Sequence, residues 1–245
     1  MANKVLTQNI SQPLNKAKGA KIDINCGTGH LTVDKLNADD QALAKGTLQY
    51  LQNQGLPNQS INTSDGQATF TLKAGDIKSS GVRFPWAACG GAYEWQIQLN
   101  PTVPLDISVQ SRGGNVKLNL TGMRITSLSA DIGGGNLDVV LPDNSANLTA
   151  TVKTGGGNIN LEVGNGTTGN NTITANSGAG NVVVRLPNGI AAKVYATTGL
   201  GKVSVDPRFV KIDKNTYQSA DYDTAPIRFD ITARSGAGNM SVIIK

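Results

Sequence analysis

The chain has 245 residues, enough for one large all-β domain or two smaller ones, and its 29 glycines follow no three-residue period, which excludes collagen. With 16% charged residues and plentiful Val, Ile and Leu it is no disordered polymer, and with 4% aromatics any core must be filled by aliphatic side chains. The net charge is +5, but Lys and Arg are scattered and no aromatics interleave with the Gly-rich turns, so nucleic acid is not an expected partner.

Met1 to Gln12 has neither an apolar core nor a small-residue cleavage site, so it does not read as a secretory signal. No run of about 18 apolar residues exists, so no membrane-spanning helix is expected. Ile22 and Ile24, then Leu31 and Val33, alternate around Gly27-Thr28-Gly29-His30 and predict a strand, a corner and a second strand. Ala38 to Lys45 reads as one or two helical turns. Ala68, Phe70 and Leu72 lead into a second corner at Gly75-Asp76. Val82 to Tyr93 is a longer connection holding Phe84, Pro85, Trp86 and Cys89, after which Trp95, Ile97 and Leu99 resume the alternation. Residues 1–100 are therefore expected to form an irregular N-terminal β subdomain, and 101–245 a series of regular repeats.

The repeats turn on one motif. Gly133-Gly134-Gly135-Asn136, Gly155-Gly156-Gly157-Asn158, Gly178-Ala179-Gly180-Asn181, Gly199-Leu200-Gly201-Lys202 and Gly236-Ala237-Gly238-Asn239 share it, with a degenerate copy at Arg112-Gly113-Gly114-Asn115. From residue 115 the fourth positions step by 21, 22, 23 and 21, then by 37 to residue 239. A fixed period of about 22 residues is the mark of stacked repeats. Each corner sits between alternating runs: Leu148, Ala150 and Val152 before, Ile159, Leu161 and Val163 after. A one-residue slip around Ile125 and Leu128 predicts a bulge. The expected fold is all-β, a β-solenoid of parallel rungs of about 22 residues. Asn115, Asn136, Asn158, Asn181 and Asn239 then stack, bonding amide to amide or to local backbone as a structural ladder. Asp206 to Ala225 is an insertion with Phe209, Tyr217 and Tyr222, and is expected to cap an end or flank of the stack.

Chemistry-bearing residues are sparse. His30 stands where Asn stands in the other corners, which reads as a ladder substitute, and no third residue completes a Cys26–His30 pair. Asp131, Asp138 and Asp143 are the nearest approach to an acid cluster, and Asp138 faces outward between Leu137 and Val139. Gly164-Asn165-Gly166-Thr167-Thr168-Gly169 matches a dinucleotide fingerprint literally, but a strand pattern follows it where a helix is required. Cys26 and Cys89 either pair in an oxidising compartment or serve as two small buried hydrophobes. No spacing points to a metal or cofactor, and no catalytic residue is assigned. Two readings stand for Trp86, Tyr93 and Trp95: an exposed platform for a sugar or protein, or a cover over the first rungs. With Tyr217 and Tyr222 they form the candidate interaction surface.

Lys18-Gly19-Ala20-Lys21-Ile22-Asp23-Ile24 with Gly27-Thr28-Gly29-His30-Leu31 resembles the N-terminal part of bacterial "toast-rack" proteins. Trp95-Gln96-Ile97-Gln98-Leu99-Asn100-Pro101 with Val103-Pro104-Leu105 looks like that family's link into its repeats. The Gly-x-Gly-Asn strands that follow are similar to the "putative adhesin" and cell-wall-stress (Lia-type) β-helix domains. The resemblance implies a right-handed β-helix, attachment to membrane helices or a lipid anchor, no catalysis, and a role in envelope-stress sensing or surface attachment. The expected function is thus a non-enzymatic scaffold or binding module of the cell envelope, meeting a protein or an envelope glycan. As an excised ectodomain it would be extracytoplasmic and tethered through a segment outside this chain; otherwise it would be cytoplasmic. The alternative is a structural protein that self-assembles through open solenoid ends, with Met240 to Lys245 as the unpaired terminal strand. A carbohydrate-active enzyme is the third reading.

Overall fold

The computed structural model describes residues 4–75 and 93–245. In chain order the strands are β1 (Val5–Pro13), β2 (Gly19–Asn25), β3 (His30–Lys35), β4 (Ala42–Leu51), β5 (Asn58–Ser64), β6 (Gln67–Lys73) and β7 (Glu94–Leu99). There follow β8 (Leu105–Ser111), β9 (Val116–Asn119), β10 (Ile125–Ile132), β11 (Leu137–Val140), β12 (Thr149–Gly156), β13 (Ile159–Glu162), β14 (Asn170–Ala179) and β15 (Val182–Leu186). The last are β16 (Ala191–Leu200), β17 (Val203–Val205), β18 (Val210–Lys211), β19 (Thr216–Gln218), β20 (Arg228–Ala237) and β21 (Met240–Ile244). No α-helix occurs among the described residues; one 3-10 turn spans Gln52–Gln54.

The strands form two mixed sheets that do not close into a barrel. Sheet A runs β1-β4-β7-β3-β9-β11-β13-β15-β21-β17, and sheet B runs β5-β6-β2-β8-β10-β12-β14-β20-β16-β19-β18. Both orders hold the same series of partners: β6/β7, β2/β3, β8/β9, β10/β11, β12/β13, β14/β15, β20/β21 and β16/β17. Each pair is one tier, with a strand in each sheet, and neighbouring tiers pair in parallel throughout. In the middle of the stack, equivalent corner residues are 21, 22 and 23 positions apart. The register shifts between Ile125 and Ser127, at the predicted bulge.

Period-two alternation points one apolar row of each strand between the sheets. One tier shows the result: Leu148, Ala150, Val152, Ile159, Leu161 and Val163 are all 1% exposed or less. Burying a Val, Leu or Ile side chain contributes roughly 1.5–3 kcal/mol. A single tier exposes the top and bottom of that row, so it gains the full amount only when tiers stack. One contiguous apolar core accordingly runs from Ile10 to Val242.

The stacking order departs from chain order at both ends. β2/β3 lies inside β6/β7, and β20/β21 lies inside β16/β17. Met240 to Lys245 is therefore not the unpaired terminal strand: β21 is bonded to β15 on one side and β17 on the other. Ala38 to Lys45 is not helical either. Ala42–Leu51 is strand β4, clamped antiparallel between β1 and β7, and tertiary pairing overrides the local preference of its Ala and Leu. β4 and β1 cover the sheet A end beside β7, and β5 covers β6. At the opposite end β19 and then β18, both from the 206–225 segment, cover β16 antiparallel. Among the described residues β17 alone ends its sheet without such a cover; it is three residues long and is flanked by Lys202 and Asp206, which suits an edge that resists pairing. Asp76 and the connection holding Phe84, Pro85, Trp86 and Cys89 lie outside the described residues.

Candidate functional site

The glycine corners are built for stacking. A Cβ on the first glycine of a corner would meet the neighbouring tier's carbonyl, at 2.4 Å for Gly155 against Gly133 and for Gly178 against Gly155. The third glycine is both crowded and left-handed: Gly157 has φ +142, and a Cβ there would lie 2.1 Å from the Gly135 carbonyl. The middle position is open, which is why Ala179, Leu200 and Ala237 can occupy it. The corner amides are also committed to other tiers: Gly135 N–H donates to Gly156, Gly157 to Ala179 and Gly180 to Ala237. These donors are not free to cradle a phosphate.

Two side-chain ladders run beside the corners. Each Asn Oδ1 accepts the backbone N–H of the equivalent residue one tier on: Asn115 from Asn136, Asn136 from Asn158, Asn158 from Asn181, Asn181 from Asn239, and Asn239 from Lys202, at 2.8–3.1 Å. His30 begins the series, with Nδ1 accepting from Asn115 N–H at 3.2 Å, so its proton sits on Nε2. Only one link also joins amide to amide, Asn158 Nδ2 to Asn136 Oδ1 at 3.3 Å. The second ladder was not anticipated from the sequence. Thr154, Ser177, Ser235 and Thr198 each donate their hydroxyl to a glycine carbonyl of the neighbouring tier (Gly135, Gly157, Gly180 and Gly238) at 2.7–3.1 Å. Its signal was present, since Ser or Thr stands immediately before each of those corners.

The chemical candidates are dispersed. Asp131 belongs to β10 in sheet B, Asp138 to β11 in sheet A, where it accepts from Asn160 at 2.7 Å, and Asp143 caps the Gly122 amide at 2.9 Å. Asp131 and Asp138 thus stand on different sheets, and Asp138 and Asp143 each serve a separate donor. The Gly164 to Gly169 segment leads into β14, and a Cβ at Gly164 or Gly166 would strike the Pro142 or Asp143 carbonyl of the adjacent loop, so its glycines also serve stacking. Cys26 is buried, its thiol pushed up by desolvation and placed 3.7 Å from the Gln110 carbonyl. A polar groove of about 490 Å³ on sheet A holds Thr32, Asp34, Thr47, Glu94, Gln96 and Gln98. Its acids already accept from Asn119 and Gln96.

The predicted aromatics divide. Tyr93 and Trp95 are 6% and 3% exposed, and the Trp95 indole donates to the Gln49 carbonyl at 3.1 Å. They shield the lower tiers and offer no ring face to a ligand, because Trp95 points into the core between the sheets and Tyr93 is buried beside it in the chain. Trp86 lies outside the described residues. Tyr217, in register with buried Val194, packs against the core, whereas Tyr222 joins a constellation on the outer face of sheet B at the opposite end. There β16 and β20 run in register, with Lys193 beside Asp230, Tyr195 beside Thr232 and Thr197 beside Arg234. Arg234 lies 5.3 Å from the Tyr195 ring centroid, and Lys193 and Arg228 lie 5.9 Å from that of Tyr222. On the other side of the sheet, Lys211 lies 5.7 Å from the Tyr217 ring with which it is in register. Tyr222 donates its hydroxyl to Asp230 Oδ1 at 2.5 Å; burial first, and that carboxylate second, push its pKa up to about 12. None of these four cations is within ion-pair distance of a carboxylate among the described residues. Residues 181–245 hold nine Lys and Arg against five Asp, which places +4 of the net +5 in the last quarter of the chain.

Tyr195, Lys193 and Arg234 were legible in principle: counting back from Gly199 and Gly236 gives their register. The return of Tyr222 to Lys193 and Asp230 was not, because it depends on the antiparallel pairing of β19.

Residues 1–162 match the family model described as the N-terminal domain of toast_rack, DUF2154. No curated protein matches the chain. Among solved structures, a "putative cell adhesion protein" from Clostridium sporogenes is similar at 21% identity and a TM-score of 0.66, over 99% of this chain and 100% of that one. A "putative adhesin" from Bacteroides fragilis aligns over 98% of both chains at 11% identity and a TM-score of 0.35.

Proposed function

The chain belongs to the toast-rack N-terminal domain family, and from that membership we propose a non-enzymatic binding module of the cell envelope, acting in adhesion or envelope-stress sensing. The tiers are then the rungs of a right-handed parallel β-helix of about 22 residues each. Residues 1–100 make its irregular base, 101–245 its regular stack, and 206–225 an inserted cap. The module works outside the membrane, tethered through a segment beyond this chain, and meets a protein or an envelope glycan.

The observation that carries this reading is the division of labour in the stack. Corners, core and most edges are committed to holding tiers together, while free cations and tyrosines collect on one face at one end. The 21%-identical structure whose printed description is cell adhesion has the same overall fold and agrees with the reading. The self-assembly alternative is weakened by the covers at both ends and by the internal place of β21. Dispersed carboxylates count against the enzyme alternative.

Surface protease treatment of intact native cells tests the placement, followed by an attachment assay on a deletion strain. Protein digested at the surface, together with lost attachment or a blunted envelope-stress response, is the expected outcome. Protein found wholly in the cytoplasm overturns the reading.

A further inference from the structure

We propose that the outer face of sheet B across β16 and β20 binds a carboxylated polysaccharide, through Lys193, Arg228 and Arg234 as carboxylate partners and Tyr195 and Tyr222 as ring platforms. The proposal rests on the reading of the chain as an envelope binding module and names the ligand class of that module.

Charge complementarity selects an anion. Three cations, Lys193, Arg228 and Arg234, stand on one face with no carboxylate in ion-pair range among the described residues, in the quarter of the chain that carries most of the net charge. Guanidinium groups meet carboxylates in a planar fork. Each of the three also stands near a tyrosine ring, at 5.3–5.9 Å, which restrains its side chain before any ligand arrives.

The alternation of ring and cation selects a polysaccharide over other anions. Tyr195 is 36% exposed in an otherwise aliphatic protein, and an exposed tyrosine on a flat strand face gives a sugar ring an apolar surface beside a polar rim. Neighbouring strands lie roughly 4.8 Å apart and outward residues two apart lie roughly 6.6 Å apart. Tyr195, Arg234 and Lys193 on β16 and β20 thus present ring and charge at the spacing of a sugar unit bearing one carboxylate. Asp230 in the middle of the patch, beside Lys193 in register, disfavours a densely charged chain such as polyphosphate or nucleic acid. Thr232 and Thr197 supply neutral hydroxyls between the charges, which suits a ligand with one charge per ring.

The test is calorimetric titration of the full chain with hexagalacturonate, at low and at moderate salt. Binding is expected, and it should weaken as salt rises. Tyr195→Ala and Arg234→Gln should each lose at least tenfold in affinity, while Tyr195→Phe, which keeps the ring, stays within about threefold of wild type. Lys117→Gln, on the outer face of sheet A, should change nothing. Thermal melts of each variant separate lost binding from lost folding. Absence of binding by the wild type, an equal loss in Lys117→Gln, or equal affinity for polyphosphate or for a neutral cello-oligosaccharide each overturns the proposal. If hexagalacturonate does not bind and the deletion strain still fails to attach, this ligand assignment falls while the envelope reading stands.

Discussion

Gly156 and Gly157 are neighbours in the chain, yet they sit in different surroundings. A Cβ on Gly156 would find nothing within 4 Å, whereas one on Gly157 would lie 2.1 Å from the Gly135 carbonyl on a backbone at φ +142. Gly157→Ala should therefore cost on the order of 3 kcal/mol or more, from left-handed strain and the backbone clash together. Gly156→Ala should lie within about 1 kcal/mol of wild type, on the stabilising side, because it removes freedom only from the unfolded chain. Urea unfolding of the two variants decides the matter, and similar losses in both would refute the stacking role. Tyr222 offers a test at the same scale. Its hydroxyl is raised from 10.0 to about 12, first by burial and then by Asp230. The folded state thus favours the neutral phenol. That contribution to stability is complete below pH 10 and is lost as pH rises toward 12. Absorbance titration should show late-ionising tyrosine absorbance that falls in Tyr222→Phe, with Tyr93, also raised by burial, remaining.

At the scale of the element, the corner asparagines differ from ordinary turn residues because each serves the tier beyond its own. Asn158→Ala removes the acceptor for the Asn181 amide and should cost about 1 kcal/mol, as should His30→Ala, while His30→Asn should restore the bond. Lys202→Ala should leave the ladder intact, because no tier beyond it asks for an acceptor. Equal losses at 158 and 202 by chemical denaturation would show that these residues act only within their own turn. The elements were largely legible in the sequence where alternation and corner coincide, from Leu105 to Leu186. They were less so at Ala42–Leu51, where Ala42, Leu43 and Ala44 are all buried and only pairing with β1 and β7 marks the segment as strand. Val5–Pro13 gave little signal because an edge strand buries little: of its nine residues only Ile10 is fully covered. The candidate surface was half legible. Tyr222 stood out as an aromatic in an insertion, but Tyr217 and Trp95 looked the same, and one packs against the core and the other lies in it.

For the whole molecule, the inversion of order at each end changes what a truncation removes. Residues 227–245 form the seventh tier of eight, not the last. Deleting them should strip β14/β15 of its upper neighbour, strand β16/β17 and abolish cooperative thermal unfolding. Replacing the longer stretch 187–226 with a short loop copied from 163–169 should cost less. It removes the eighth tier and its cap, and leaves β14/β15 against β20/β21 as they already pair. A melt in which the 19-residue truncation is the milder of the two would contradict the observed order. The inversion was not legible, because every corner carries nearly the same motif and nothing local says which slot a tier will take. It also has a consequence in time. β16 and β17 leave the ribosome before β20 and β21, so the slot beside β14 and β15 stands vacant while an early look-alike is already available. Thr198-Gly199-Leu200-Gly201 would fit there almost as well as Ser235-Gly236-Ala237-Gly238. The difference is the next residue. Lys202 has no acceptor to offer, so a tier that settled early would leave the Asn239 amide unanswered when the final strands arrived. One lysine in a row of asparagines thus acts as a placeholder that must yield, keeping the inner seat for the last part of the chain to be made.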